Sequence, residues 1–89
     1  MFVEQINLPL KAITPHTVVK PTKKSVSNIA KDLEQKMPYP MLLDENYKII
    51  YGNALYEAFK KINYEGLIPV VVAHLPEGSA SEMRENDKW

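Results

Sequence analysis

Between residues 47 and 73 the hydrophobic period changes twice, and that double change restricts the chain more than any other feature of the sequence. Tyr47-Lys48-Ile49-Ile50-Tyr51 is rich in β-branched and aromatic side chains, which suit a pleated, half-buried strand. Gly52 breaks it. From there Ala54, Leu55, Ala58, Phe59 and Ile62 share one helical face, with Glu57, Lys60 and Lys61 on the other. Residues 63–66 close that helix, and Ile68-Pro69-Val70-Val71-Val72-Ala73 follows as a continuous apolar run, as in a strand covered on both faces. Pro69 cannot donate to a ladder, so it belongs at the start of that strand or at an edge. The predicted class is mixed α/β (α+β).

The flanking sequence extends the unit without changing its class. Residues 2–8 alternate loosely, with Phe2, Glu4, Ile6 and Leu8 on one side, and read as a strand stopped by Pro9. Pro9, Pro15 and Pro21 then favour an extended connection over residues 9–24, anchored to the core by Val18 and Val19. A first helix follows, capped by Ser25 or Ser27, with Val26, Ile29, Ala30, Leu33 and Met37 as its apolar stripe. Pro38 ends it, because proline disfavours helical geometry in the residue before it. Met41-Leu42-Leu43 and the strand at residues 47–51 flank the turn-prone Asp44-Glu45-Asn46, which predicts a hairpin. Residues 1–76 are expected to form the domain, on a mixed sheet with two main helices. Residues 77–89 read as a polar, flexible tail whose Trp89 could dock back.

Eighty-nine residues accommodate one domain, and the hydrophobic fraction of 45% suits a globular core. The sequence contains no cysteine, which removes disulfide scaffolds, thiol catalysis and cysteine-held metals. Its start does not read as a secretion signal, and no apolar stretch reaches the roughly 20 residues a membrane helix needs. The expected location is the cytoplasm. The formal net charge of zero counts against a domain living on non-specific DNA affinity. The charges are nevertheless uneven, and Lys20, Lys23 and Lys24 form either a modest basic patch or a solvated loop.

The strand–glycine–helix junction is the place most suited to a ligand. The first-turn N–H groups of a helix lack internal partners, and the helix dipole adds partial positive charge there. A phosphate or carboxylate fits such a seat, with Gly52 admitting close approach and Asn53 and Ala54 opening the helix. The plainer reading is that Gly52 makes the bend and Asn53 caps the helix. Lys48 and Lys60 are the candidate cations for a phosphate, and Glu57 and His74 the candidate catalytic groups. A solvated Glu57 pairing with Lys60 or Lys61 would serve no catalysis. His16 and His74 lie 58 positions apart without metal-ligand spacing, so no metal site is predicted.

The run from Pro40-Met41-Leu42-Leu43 through Tyr51-Gly52-Asn53-Ala54-Leu55 to Phe59-Lys60-Lys61, with the closing Ile68-Pro69-Val70-Val71-Val72, resembles the N-terminal domain of ParB-like proteins. The resemblance spans roughly residues 3–76. It implies the small fold shared with sulfiredoxin, with the glycine–helix junction binding nucleotide phosphates or nucleic acid. The sequence departs from the family where arginine is expected after the glycine, because Leu55 stands there and the only arginine is Arg84. True ParB proteins also continue into a helix-turn-helix domain, for which 89 residues leave no room.

Two functions follow from the resemblance. The first is a degenerate, stand-alone ParB-like accessory protein, of phage or mobile-element type, that binds a protein partner or nucleic acid without catalysis. The alternative is a nucleotide-dependent enzyme (a nucleotide hydrolase, phosphotransferase or nuclease) using a nucleotide with Mg at Gly52-Asn53. A homo-oligomer, with a second copy covering a strand edge near Pro69 or the Trp89 tail, is a further expectation.

Overall fold

The computed structural model describes residues 2–33, 35, 40–76 and 78–87. Four strands form one sheet in the order β1-β4-β2-β3, where β1 is Phe2–Pro9, β2 Met41–Leu43, β3 Ile49–Tyr51 and β4 Leu67–His74. β1 pairs antiparallel with β4 along its whole length, β4 runs parallel to β2, and β2 and β3 form the predicted antiparallel hairpin. The helices are α1 (Lys23–Leu33), α2 (Asn53–Lys61) and α3 (Ser79–Arg84), and a single 3-10 turn at Leu10–Ala12 follows β1. The fold is the small α+β type read from the sequence, with a third helix added in the polar C-terminal segment.

The core lies between one face of the sheet and α2. Met41, Leu43, Ile49, Ile68, Val70 and Val72 supply the sheet side, and Leu55 and Phe59 the helix side. Ile29 and Leu33 of α1 pack against this cluster, as their helical spacing requires. β4 alternates buried and half-buried residues, so one face of it is covered more fully than the other. That differs from a strand sealed on both faces. The apolar run instead reflects its place inside the sheet, between β1 and β2.

Pro69 sits within this interior strand opposite Asn7, and β2 joins only from Met41 opposite Val70. The missing donor therefore falls just before the parallel ladder begins, and Pro69 does not mark a sheet edge. The outer strands are β1 and β3. The outer side of β3 is met by Thr14, whose carbonyl accepts from the Ile49 N–H at 2.8 Å, and by the Arg84 side chain, which donates to the Ile49 carbonyl at 2.7 Å.

Several local expectations shift for identifiable reasons. α1 starts at Lys23, before Ser25, because Thr22 Oγ1 accepts the Ser25 N–H at 3.1 Å and takes the capping role assigned to Ser25 or Ser27. β3 begins at Ile49 because the Asp44 carboxylate accepts the N–H groups of Asn46 and Lys48, holding them in the turn with Tyr47 at φ 63°. Val18 is 52% exposed and Val19 only half-buried, so they do not anchor the connection. Ile13 and His16 do, both almost fully buried. Met37, Pro38, Tyr39 and Trp89 lie outside the described residues.

Candidate functional site

Gly52 makes the bend between β3 and α2 at φ 120° and ψ 20°, a region that L-residues rarely enter. A Cβ there would lie 2.6 Å from Met41 Cγ, so the position excludes any side chain. The backbone N–H groups of Gly52 and Asn53 then point out of the helix start, and the structure fills that seat from within. The Asp87 carboxylate accepts from Gly52 N–H at Oδ1 (3.0 Å) and from Asn53 N–H at Oδ2 (3.1 Å). His16 Nε2 lies 2.7 Å from the same Oδ2. The other ring nitrogen of His16, Nδ1, accepts the Val18 N–H at 3.2 Å, so the ring proton belongs on Nε2 and is donated to Asp87. His16 and Asp87 are both buried, at 3% exposure each. The group at this helix start is the chain's own carboxylate.

Asn53 does not cap the helix. It is the first helical residue, and its side chain turns toward the loop at residues 15–19. Its Oδ1 accepts the His16 N–H at 3.1 Å, while its Nδ2 donates to the carbonyls of His16 (2.7 Å) and Val19 (3.3 Å). It thus clasps the loop that presents the His16 ring to Asp87. Ala54 and Leu55 follow with essentially no exposure, and Leu55 belongs to the apolar core.

Beside this seat, between the loop, α1 and α2, lies an open cleft of about 820 Å³. His16 and Asn53 form part of its wall, and Lys20, Lys23, Lys60 and Lys61 line it together with Glu57, the one carboxylate there among the described residues. Lys61 Nζ donates to Ser27 Oγ at 2.9 Å, bridging α2 to α1. Lys60 Nζ stands 5.9 Å from the Tyr56 ring centroid. Among the described residues no ion pair joins Glu57 to either lysine, because those other contacts hold them.

The remaining candidates lie elsewhere. Lys24 is exposed on α1 and does not line the cleft. Lys48 precedes β3, and His74 ends β4, at the end of the sheet opposite Gly52. His74 pairs there with Glu4 (2.8 Å) and reaches Glu45 at 3.7 Å. The structure therefore gathers Gly52, Asn53, Lys20, Lys23, Lys60 and Glu57 at one place and separates them from Lys48, Lys24 and His74. Among the described residues no cluster of three or more His, Asp or Glu could hold a metal ion.

Asp87 was not singled out by the sequence, and His16 was weighed only as a metal ligand. Each is 34 or more positions from Asn53, and no local pattern joins them. The segment carrying Asp87 is held by charge as well. Arg84, 6% exposed, donates to the Ile49 carbonyl and, through Nη2, to Asp44 Oδ2 at 2.6 Å. The region read as a polar tail thus contains α3 and two buried charged side chains.

No family model matches the sequence, and no curated protein matches it significantly. Solved structures do. The pNOB8-like ParB N-domain superposes with a TM-score of 0.75 over 96% of this chain, at 17% identity. The C-terminally truncated chromosome-partitioning protein ParB from Caulobacter crescentus, complexed with CTP-gamma-S, gives 0.77 over 91% of the chain at 13% identity. The fold is that of a ParB N-domain. The chain spans 34% of the length of the pNOB8-like structure and 50% of the Caulobacter one, so the likeness is to one domain of those proteins. On this ParB-like scaffold, α2 and its glycine turn position the lysine cleft, and no described helix is long and apolar enough to cross a membrane.

Proposed function

We propose that the chain is a binding domain on a ParB-like scaffold, acting without catalysis, and that its partner is a nucleic acid drawn by its phosphates into the cleft beside α2. One observation carries this reading: among the described residues, four lysines and a single carboxylate line the same cleft, in a chain of zero net charge. A local excess of cations attracts phosphates whatever the total charge, because screening confines the interaction to about 8–10 Å. Lysine ammonium groups act as point charges and do not fix a base sequence, so the expected recognition is of backbone and not of bases. The accessory, phage or mobile-element role rests on the family resemblance alone.

Fluorescence anisotropy with labelled single- and double-stranded oligonucleotides tests it. Binding that is lost in a Lys23→Glu/Lys60→Glu double variant with unchanged fold supports the reading. Binding unaffected by that variant, or absent for every oligonucleotide, overturns it and turns attention to a protein partner.

A second reading is a nucleotide site. It is favoured by the similar Caulobacter protein being complexed with CTP-gamma-S and by a cleft large enough for a nucleotide. Magnesium would then be held by the phosphates and water more than by the protein, and Glu57 is the one lining carboxylate placed to act as a base or ligand. A thermal-shift comparison of nucleoside triphosphates with and without magnesium separates the two readings, because a ligand that binds only the folded state raises Tm.

A further inference from the structure

We propose that the outer edge of β1 is a self-association surface: two copies of this chain pair their β1 strands antiparallel about a two-fold axis at Gln5, joining two four-stranded sheets into one. The inference is independent of the cleft and of its ligand.

Three observations carry it. The first is which backbone groups the edge presents. Residues directly opposite in an antiparallel pair alternate between exchanging both N–H···O bonds and exchanging none. Pro69 faces Asn7 and Pro9 faces Leu67, and neither proline has an N–H, so both pairs are of the second kind. The alternation assigns the bonds to Glu4–Val72, Ile6–Val70 and Leu8–Ile68. It leaves the N–H and C=O groups of Val3, Gln5 and Asn7 directed away from β4. Among the described residues no other backbone group meets them.

The second is a contrast between the two edges of the sheet. The outer side of β3 is met by Thr14 and Arg84. β1 has none of the common devices against pairing: no lysine, no proline before Pro9, and no register shift along its eight residues. Its one charged side chain, Glu4, is held at 2.8 Å by His74 of the neighbouring strand.

The third is that the edge is complementary to itself. Val3, Gln5 and Asn7 are spaced evenly about Gln5. Two-fold pairing therefore sets Gln5 against the partner's Gln5 and Val3 against the partner's Asn7, each pair exchanging both bonds. Odd residues oppose odd ones, so the core-facing residues of both copies stay on one side of the joined sheet. Glu4 falls opposite the partner's Ile6 and not opposite its own copy. A chain of zero net charge also sets no long-range repulsion between copies. Val3, 51% exposed, then stands beside the partner's Asn7, at the rim of a cavity of about 310 Å³ lined by Gln5, Asn7, Pro69 and Val71 among others.

Sedimentation equilibrium of the whole chain tests the proposal, with Gln5→Lys and Gln5→Pro beside wild type. Gln5 is exposed and its N–H lies outside the β1–β4 ladder, so neither substitution removes a hydrogen bond of the monomer. Gln5→Lys sets two ammonium groups against each other on the axis, and Gln5→Pro removes the central donors. Wild type should pass from monomer to dimer between about 1 µM and 1 mM, and either variant should weaken the dimer about tenfold or more. Where Gln5→Pro does not fold, Gln5→Lys decides alone. A wild-type chain that stays monomeric to about 1 mM, or a dimer that Gln5→Lys leaves intact, overturns the proposal. The sequence has no cysteine, which gives a second readout. Under mild oxidation the Gln5→Cys variant should link to its own copy, since residues opposite on the axis lie within disulfide reach, while Asn28→Cys on the exposed side of α1 should not. No linking of Gln5→Cys, or equal linking of both variants, overturns the axis at Gln5.

Discussion

At the scale of single residues, two positions at the junction perform work that their types only partly announce. Gly52 is needed twice over, for its φ of 120° and because Met41 Cγ lies 2.6 Å from where a Cβ would stand. Gly52→Ala should therefore lose about 2–4 kcal/mol, from backbone strain and overlap together. In a denaturant-melt cycle with Met41→Ala, the double variant should lose less than the sum of the singles, because truncating Met41 removes the overlap but not the strain. Strict additivity would show that the Met41 contact is not part of the cost. Asn53 was read either as part of a phosphate seat or as a cap, and its side chain is a clasp, with Oδ1 and Nδ2 on the two backbone groups of His16. Asn53→Ala strands those buried groups and should lose about 2–4 kcal/mol in chemical denaturation. Asn53→Asp should fare no better, since a carboxylate cannot donate to the His16 and Val19 carbonyls and stands beside Asp87. A loss under about 0.5 kcal/mol would mean that water replaces the clasp.

At the scale of elements, the helices differ in what holds them. α1 and α2 present apolar faces to the core, whereas α3 is six residues with its anchor in Arg84. Local opening should follow that order. Asp44→Asn keeps the acceptor Oδ1 for the turn at Asn46 and Lys48 but removes the charge facing Arg84. It should raise hydrogen exchange across Ser79–Arg84 and leave β1 and β4 unchanged; uniform acceleration would mean that α3 opens only with the whole domain. The same contrast explains what the sequence revealed. The strands and the first two helices were legible because each carries its own period of apolar residues. α3 carries only Ala80 and Met83, too little to mark a period, and its attachment is to β3 and, through Arg84, to Asp44 and Ile49 some 35–40 positions away. Element ends moved for a related reason, with Thr22 and Asp44 imposing local hydrogen bonds that outrank strand or helix propensity.

At the scale of the whole molecule, the glycine–helix junction was legible in the sequence and the side chains that fill it were not. Gly52 followed by an amphipathic helix marks an anion seat from sequence alone, but Asp87 and His16 reach it only through tertiary structure. The charge distribution shows the same separation of scales. Zero net charge argued against nucleic acid, yet folding brings Lys20, Lys23, Lys60 and Lys61 to line one cleft, against only Glu57 among the described residues. If those four ammonium groups neutralise phosphates, the salt dependence is fixed by their number. A slope of about −0.7 to −0.9 per phosphate contact predicts a log–log slope of about −2.8 to −3.6. Oligonucleotide affinity should then fall about 50- to 150-fold between about 50 and 200 mM salt, measured by anisotropy at constant pH. Lys60→Ala should weaken binding at low salt and make the slope shallower by about one contact's share. A slope near zero would show that the lysines merely solvate the cleft rim, and the binding energy would have to come from apolar or hydrogen-bonded contacts with a different class of partner. A slope much steeper than four contacts allow would place a larger basic surface outside the cleft, and would move the interface away from α2.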